Sequence, residues 1–453
     1  MSFTLFRWSL TVALAGFLFG FDTVVISGAD LALQDLWPRG ELFHGVVIIS
    51  SALWGTVLGA MFGGIPTDKL GRKTTLFWIG VLYTISALGS ALAGDPWVFA
   101  VFRFIGGLGV GASTVAAPTY VAEISPAADR GKLVGLYQFN IVFGILIAFV
   151  SNYQLAAIET DAWRWMVGVE AIPAVIYTVL VLTVPRSPRW LALVGREREA
   201  LEVLERIDSA SSRARAGALD GGAISPAARL ATIRSEEAGA GGSRRESIFD
   251  PKYRFPLLMA FLIAFFNQFS GINAFLYYAP RIFELAGLAA DAALLSSVGI
   301  GVTNLVFTII GLSMIDRFGR RTLLYIGSVG YIVSLAGVAL AFQLSWEGMA
   351  VPGFLFLFIA SHAVGQGAII WVFISEMFPN HLRGSGQAFG TSVHWVLAAV
   401  IPSLVPVLFT TVGTAPVFWF FAFMMFLQLL FTWRLMPETR GVPLEELEAR
   451  LQR

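Results

Sequence analysis

Cysteine is absent from the 453 residues of this chain, which excludes disulfide bridges and thiolate metal sites. Charged residues are few, at 13%, and the four histidines (His44, His362, His381 and His394) lack the spacing of metal ligands. The sequence also lacks a phosphate-binding glycine loop and a nucleophile placed beside a base. We therefore expect neither an enzyme nor a bound cofactor, and no nucleic-acid partner.

Apolar residues are abundant, at 56% of the chain, and the mean hydropathy is +0.73. Since a membrane span needs about 20 apolar residues, we predict an all-α polytopic membrane protein with twelve transmembrane helices. The first apolar run follows only Arg7 and has no small-residue cleavage site, so we expect it to be retained. The expected helix cores are 8–28, 44–66, 75–94, 97–120, 132–154, 164–184, 256–285, 292–315, 322–343, 352–375, 386–409 and 415–436.

Lysine and arginine concentrate in alternate loops, and this asymmetry predicts the orientation of the chain. The basic clusters are Lys69, Arg72 and Lys73; Arg130 and Lys132; Arg317, Arg320 and Arg321; and Arg383. The opposite loops carry only Arg39, Arg164 and Arg281 near helix ends. We expect both termini on the cytoplasmic side of a cell (inner) membrane, which requires an even number of spans.

A hydrophilic segment divides the chain into two halves. We expect a six-helix bundle over 1–185, an intracellular helical segment over 186–253, a second six-helix bundle over 254–437 and a cytoplasmic tail over 438–453. Within the central segment, apolar spacing over 189–207 predicts short helices. Residues 209–246 are rich in alanine, glycine and serine, which indicates a flexible stretch or a plain linker.

The two halves repeat a pair of motifs at matching helix ends. Residues 63–73 and 311–321 share the pattern Gly-x4-Asp-basic-x-Gly-Arg-basic, after the second and eighth runs. Residues 123–131 and 376–384 share Glu-x2-Pro-x3-Arg-Gly, after the fourth and tenth runs. Two repeated six-helix halves are the expected build of an alternating-access transporter, with the substrate held between them near the midplane.

On these motifs the chain resembles the sugar porter family of the major facilitator superfamily. The resemblance runs from about residue 15 to 441 and includes Arg-Phe-Ile-Gly-Gly at 103–107, Pro-Arg-Ser-Pro-Arg-Trp-Leu at 185–191, Asn-Gln-Phe-Ser-Gly-Ile-Asn at 267–273 and Pro-Glu-Thr-Arg-Gly at 437–441. It implies the major facilitator fold and transport of a monosaccharide, a hexose or a pentose, by a chain that works as a monomer. Glucose, galactose, xylose and fructose all stay open.

Asp22 is the only charge between Trp8 and Gly28, inside the first apolar run. A carboxylate at the centre of a spanning helix costs about 2.5–3.5 kcal/mol, so it needs a partner or a proton. Arg103 is a second isolated charge, in the fourth run. By resemblance, the two match the acid–base pair of proton-coupled family members, whereas passive facilitators usually lack the acid. A purely structural salt bridge is the alternative.

A sugar site needs several fixed donors and acceptors beside an apolar or aromatic surface. The apolar runs supply such a set, and several of its members match family binding positions: Gln138, Asn267, Gln268, Asn273, Asn304, Trp371, His394 and Trp395. Gln268 and Asn273 could both face a cavity if the helix breaks around Gly271. Asn267 stands where glutamine is frequent in the family, and His394 stands where an amide is common, which leaves fructose open. Interhelical packing by buried amides and a structural histidine are the alternatives.

Two further groups are candidates for gating. Tyr277 and Tyr278 lie in the outer part of the seventh run. We expect them to form a gate, and aromatic packing between helices is the alternative. Charges at helix ends are expected to face each other across the halves as a cytoplasmic latch that favours the outward-open state: Asp68, Arg72, Glu123, Arg130, Asp316, Arg320, Glu376, Arg383 and Glu438. Arg186 replaces the family's usual acid between Pro185 and Ser187, so one expected link is missing or reversed.

These features predict a proton–monosaccharide symporter that imports sugar. The nearest alternative is a passive facilitator of the same fold, and Asp22 argues against it. A sugar-sensing receptor is a third possibility, although family receptors often carry long cytoplasmic tails and few residues follow Glu438 here.

Overall fold

The computed structural model describes residues 3–125, 130–158, 160–215, 225–240, 246–346, 348–379 and 382–440. Within these ranges the chain is helical and contains no strand. Among the helices described there, 11 are long and apolar enough to cross a membrane, or up to 12 when one bent pair counts as a single span. The predicted all-α polytopic architecture is therefore confirmed.

The first half consists of nine helices that build six spans. They are α1 (Phe3–Leu36), α2 (Glu41–Phe43), α3 (Ser51–Phe62), α4 (Gly64–Lys69), α5 (Arg72–Leu92), α6 (Pro96–Ile124), α7 (Arg130–Leu155), α8 (Ala162–Gly168) and α9 (Ala171–Val181). The sixth span is interrupted between α8 and α9, and Glu170 lies in that interruption.

The second span is bent, which its continuous apolar run did not predict. A π-helical segment, His44–Ile49, joins α2 to α3, and the two parts of the span meet at 44°. Each π-helical turn holds an extra residue, and such turns are frequent at functional sites. The bend lets His44 face α1, where it meets an aspartate.

The described part of the central hydrophilic segment contains three α-helices and a final 3-10 turn, Pro251–Tyr253. The α-helices are α10 (Pro188–Leu193), α11 (Glu197–Arg215) and α12 (Pro226–Ala240). The predicted helices over 189–207 are present. Part of the stretch expected to be flexible is helical as well, because α11 continues past residue 209 and α12 follows it. The remainder of that stretch, 216–224 and 241–245, lies outside the described residues.

The second half contains α13 (Arg254–Phe269), α14 (Ile272–Leu285), α15 (Ala290–Phe318), α16 (Arg320–Gln343), α17 (Ala350–Val364), α18 (Gln366–Glu376), α19 (Arg383–Thr411) and α20 (Thr414–Arg434). The expected break around Gly271 is present, since this residue has φ +82°, a left-handed conformation that suits glycine. The tenth span is also broken, at Gly365. Of the predicted tail, 441–453 lies outside the described residues.

The halves meet through three pairs of helices: α1 packs on α14, α7 packs on α15, and the bent second span packs on α19. Large apolar side chains such as Trp78, Ile172 and Phe423 are exposed on the outside of the bundle. An exposed apolar belt of this kind is what a lipid-facing surface requires. Asp22, Arg103, Gln268 and Asp30, which are discussed below, are enclosed within that belt.

Candidate functional site

Asp22 on α1 and Arg103 on α6 are in direct contact in the interior of the first half. Their side chains are 2% and 1% exposed, and the Arg103 Nη1 donates to the Asp22 carboxylate. The Arg103 Nη2 also donates to the backbone oxygen of Asp22, at 3.2 Å. The two isolated charges found in the sequence are thus joined, 81 residues apart in the chain.

Glu170 is a third buried charge at this place, and sequence reasoning overlooked it. Its side chain is enclosed in the break between α8 and α9, near Asp22 and Arg103, and its Oε1 has no hydrogen-bond partner in the described part of the chain. Two enclosed carboxyl groups beside one guanidinium are costly when both are ionised, because like charges repel and burial disfavours the charged form. The group of Asp22, Glu170 and Arg103 holds two acids and one base, so it suits the retention of one proton. Glu170 is the one acid in the sixth apolar run, which was the available signal.

In the second half, three of the predicted sugar-site amides form one hydrogen-bonded cluster. Asn273 Nδ2 donates to Gln268 Oε1 at 2.8 Å, and Gln268 Nε2 donates to Asn267 Oδ1 at 3.0 Å. The break at Gly271 makes this possible, because Gln268 lies in the last turn of α13 and Asn273 in the first turn of α14. The cluster offers donors and acceptors together, as recognition of hydroxyl groups requires.

Aromatic rings enclose this amide cluster. Gln268 Nε2 lies 3.2 Å from the His394 ring nitrogens, and that imidazole lies 4.9 Å from the Trp371 ring. His394 also contacts Trp395, whose indole packs 5.5 Å from Phe19 of α1. Phe19 lies one turn before Asp22. Helix α1 therefore contacts the aromatic residues around the amide cluster and also carries the buried acid.

Two predicted site residues stand apart from the cluster. Asn304 on α15 is buried, and its side-chain oxygen accepts a hydrogen bond of 3.4 Å from Thr308 of the same helix. Gln138 is half-buried on α7, the helix that packs against α15. Within the described part of the chain, neither side chain is hydrogen-bonded to Gln268 or Asn273. Their role in binding stays a prediction.

A group of polar residues that the sequence did not single out connects the two halves at one end of the bundle. Asp30 of α1, with 1% of its side chain exposed, lies 2.6 Å from His44 Nε2 and 2.6 Å from Arg281 Nε of α14. Arg281 also donates to Gln34, and Gln34 donates to Glu41 at 2.8 Å. We call Asp30, Gln34, Glu41, His44 and Arg281 the seal, because they close this end between the halves.

The two tyrosines predicted to gate are buried next to the seal. Tyr278 donates its hydroxyl to the Pro402 carbonyl at 2.9 Å, and the Arg281 guanidinium lies 5.6 Å from its ring. The Tyr277 side chain lies near Thr23, the residue after Asp22. Tyr277 therefore joins α14 of the second half to the helix that carries the buried acid. Their positions suit a gate, and that role stays a prediction.

The predicted latch lies at the opposite end, and its contacts differ from the expectation. Arg72 pairs with Asp68 and with Glu123, each at 3.0 Å, all within the first half. Arg320 pairs with Glu376 at 2.8 Å, and Glu438 accepts from the Arg320 backbone N–H at 3.0 Å, all within the second half. Among the described residues, these ion pairs join partners in one half and not across the halves. The ion pair between Asp30 and Arg281, which does join the two halves, lies at the seal.

Three residues of the predicted latch remain to be placed. Arg383 begins α19, and its Nε and Nη2 are buried without a hydrogen-bond partner in the described part of the chain. The side chains of Arg130 and Asp316 lie outside the description. Arg186, which replaces an expected acid, lies 5.8 Å from the Trp190 ring. Pairing across the halves stays a prediction for a state in which this end is closed.

Comparison with known proteins agrees with this geometry. A family model described as "Sugar (and other) transporter" matches residues 8–451. The arabinose-proton symporter of Bacillus subtilis (strain 168) is 35% identical over 448 residues, which cover 97% of this chain and 93% of the relative. The D-xylose-proton symporter of Escherichia coli (strain K12) is 32% identical over 482 residues, which cover 98% of this chain and 95% of the relative.

Solved structures of similar proteins include the xylose transporter XylE from E. coli in an inward-open conformation. It superposes with a TM-score of 0.84 at 30% identity, covering 98% of this chain and 99% of that one. XylE bound to 6-bromo-6-deoxy-D-glucose superposes with a TM-score of 0.79 at 32% identity, covering 99% of each chain. XylE is described there as a major facilitator superfamily protein, so the fold expected from the sequence motifs is confirmed.

Proposed function

The chain belongs to the sugar (and other) transporter family, and we propose that within this family it couples import of a monosaccharide to inward movement of a proton. It is a multi-pass membrane transporter and not an enzyme. The relatives named above are named for two pentoses, arabinose and xylose, and XylE has been solved with a glucose derivative, so a pentose and a hexose are both candidate substrates. The substrate is taken up by alternating access.

The observation that carries the proposal is the enclosed group of Asp22, Glu170 and Arg103. A facilitator has no use for an acid pair at this depth, where charges are costly and are retained for function. When Asp22 is ionised it pairs with Arg103, and a proton arriving from outside releases that pairing. The protonated carrier then binds sugar and closes around it.

Coupling between proton and sugar is supported by α1. Phe19 of this helix touches Trp395 beside the amide cluster, and Asp22 follows one turn later. Thr23, the next residue, lies near Tyr277 of the second half. A rotation or tilt of α1 therefore changes the sugar site, the buried charges and a candidate gate together. Coupling requires that a ligand contact two conformations of the protein differently, and a movement of α1 would meet this condition.

We assign the seal to the outward face of the membrane and the predicted latch to the cytoplasmic face. The distribution of lysine and arginine supports this orientation, with both termini cytoplasmic in the cell (inner) membrane of a bacterium. The structure then corresponds to an inward-facing state, in keeping with its likeness to inward-open XylE. A single chain contains the whole set of groups, so it functions as a monomer.

The proposal is tested by adding D-xylose, L-arabinose or D-glucose to proteoliposomes in an unbuffered medium and following the outside pH. A symporter alkalinises the medium on addition of its own sugar and not on addition of L-glucose. Sugar uptake without a pH change would identify a passive facilitator, and binding without uptake would identify a receptor. Protein-free liposomes serve as the control.

Replacing Gln268 or Asn273 by alanine is expected to weaken sugar binding about tenfold to a hundredfold. Each change removes hydrogen bonds to sugar and strands a buried partner, which costs about 1–3 kcal/mol. Trp371→Ala should weaken binding through lost packing. Titration in detergent measures the affinities, with Gln343→Ala as a control because that exposed amide accepts a hydrogen bond from the exposed Trp419. Unchanged sugar affinity in all three variants would contradict the assignment of these residues to the sugar site.

A further inference from the structure

A row of buried side chains continues behind the amide cluster, away from the space where a sugar would lie. Asn267 Nδ2 donates to Gln366 Oε1 at 3.3 Å, and Gln366 Nε2 donates to Gln428 Oε1 at 2.6 Å. Gln428 Nε2 then donates to Ser328 Oγ at 2.8 Å. Gln366, Gln428 and Ser328 are each 0% exposed. The row, which we call the relay, links α13, α18, α20 and α16.

The far end of the relay fixes its direction. The Ser328 hydroxyl donates to the Leu324 carbonyl of its own helix, at 2.7 Å, and a backbone carbonyl can only accept. Ser328 therefore presents a lone pair to Gln428, which must turn its NH2 group toward it. The Gln428 oxygen then faces Gln366, and the Gln366 oxygen faces Asn267. Every amide in the row has one orientation, set by a helix carbonyl.

The near end of the relay determines what the sugar site presents. Since the Asn267 NH2 group faces Gln366, its oxygen faces Gln268. Gln268 then donates to Asn267 and to His394, which leaves its oxygen to accept from Asn273 and from a ligand. If the amide of Gln428, Gln366 or Asn267 were reversed, Gln268 would have to reverse as well. Its NH2 group and its oxygen would then exchange places in the sugar site.

We propose that Gln366 and Gln428 are positioning residues that determine which sugar the transporter prefers, and that Asn267 is a link in this relay and not a sugar ligand. The proposal rests on the proposed function. Sugars that differ at one hydroxyl differ in where they need a donor or an acceptor. A site whose amides have one fixed orientation discriminates between them, because the wrong epimer leaves a buried polar group unpaired.

The test compares pairs of C4 epimers, D-glucose with D-galactose and D-xylose with L-arabinose, by isothermal titration of the purified full-length chain. Gln366→Leu removes the acceptor for Asn267 and frees its amide to adopt both orientations. For the pair of epimers that the native chain distinguishes, we expect the ratio of the two dissociation constants to fall about threefold to tenfold. A change of this size corresponds to the free energy of one hydrogen bond. Gln428→Leu should lower the same ratio through Gln366.

A second comparison separates positioning from stability. Gln366→Leu strands the Gln428 oxygen, whereas the double variant Gln366→Leu/Gln428→Leu leaves Ser328 satisfied by Leu324 and should recover thermal stability. Discrimination should stay low in the double variant, because Asn267 still has no acceptor. Asn152→Leu is the matched control: it removes a buried amide that donates only to Val25 in the first half, and it should leave the epimer ratio unchanged.

Three results would contradict the proposal. Recovery of discrimination together with stability in the double variant would show that the relay acts only as structural support. An unchanged epimer ratio in Gln366→Leu, or a native chain that binds both epimers of each pair equally, would remove its role in specificity. Failure of the native chain to bind any of the four sugars would instead refute the proposed function, and the relay would have no site to orient.

Discussion

Asp22→Asn is expected to abolish accumulation of sugar while leaving sugar exchange intact. Asparagine keeps the shape and hydrogen bonding of Asp22 but cannot ionise, so it mimics the protonated carrier. Concentrative uptake requires this group to release its proton inside and return empty. One proton driven by 100 mV supplies about 2.3 kcal/mol, which corresponds to about fiftyfold accumulation, and all of it should be lost.

The protein should still fold, because Glu170 remains to neutralise Arg103. Counterflow and proton-driven uptake are measured on the same proteoliposomes, and the pH dependence of uptake should flatten. Asp161→Asn is the control, since Asp161 is exposed and its ion pair with Arg164 at 3.8 Å contributes little. An Asp22→Asn protein that still concentrates sugar would show that another group carries the proton.

Arg281→Gln is expected to open the seal. The change leaves the Asp30 carboxylate enclosed without its cationic partner. Removing one member of a buried ion pair costs about 3–5 kcal/mol. This penalty falls only on the sealed state, so the equilibrium between the two states should shift more than a hundredfold toward the state open at that end.

The absence of cysteine makes this shift simple to measure. Ser403→Cys places a thiol at the seal, where the Ser403 backbone oxygen packs against Gly45. A membrane-impermeant maleimide should label it slowly in the parent and quickly with Arg281→Gln. Arg164→Gln is the matched control, because Arg164 donates to Ala91 and Ala93 and pairs with Asp161, all within the first half. Equal labelling rates in all three proteins would count against the seal.

The spans and the buried acid could be predicted because each is a signal within one stretch of sequence. An apolar run of sufficient length predicts a helix, and a lone charge within such a run predicts a functional group, as with Asp22 and Arg103. The same rule applied to the sixth run would have found Glu170. The break at Gly271 followed from the need to bring two amides to one side.

The seal could not be predicted, because its members are ordinary residues until the chain folds. His44 and Arg281 reach Asp30 from positions 14 and 251 residues away. Arg281 counted only as a loop charge, and the π-helical bend that turns His44 toward Asp30 leaves no mark in hydropathy. Gln366 and Gln428 were missed for a related reason: composition does not tell which face of an apolar helix an amide occupies.

The seal also has a consequence for how this protein can change over generations. Asp30 is held by two partners on different helices, one from each half of the chain. A descendant that lost Arg281 alone would keep an enclosed carboxylate beside His44 without its guanidinium partner. One that lost Asp30 alone would leave Arg281 with only the longer ion pair to Glu41, at 3.9 Å. The first of two such substitutions is therefore unfavourable unless the second accompanies it. Asp30, His44 and Arg281 should therefore be inherited, or replaced, as a set.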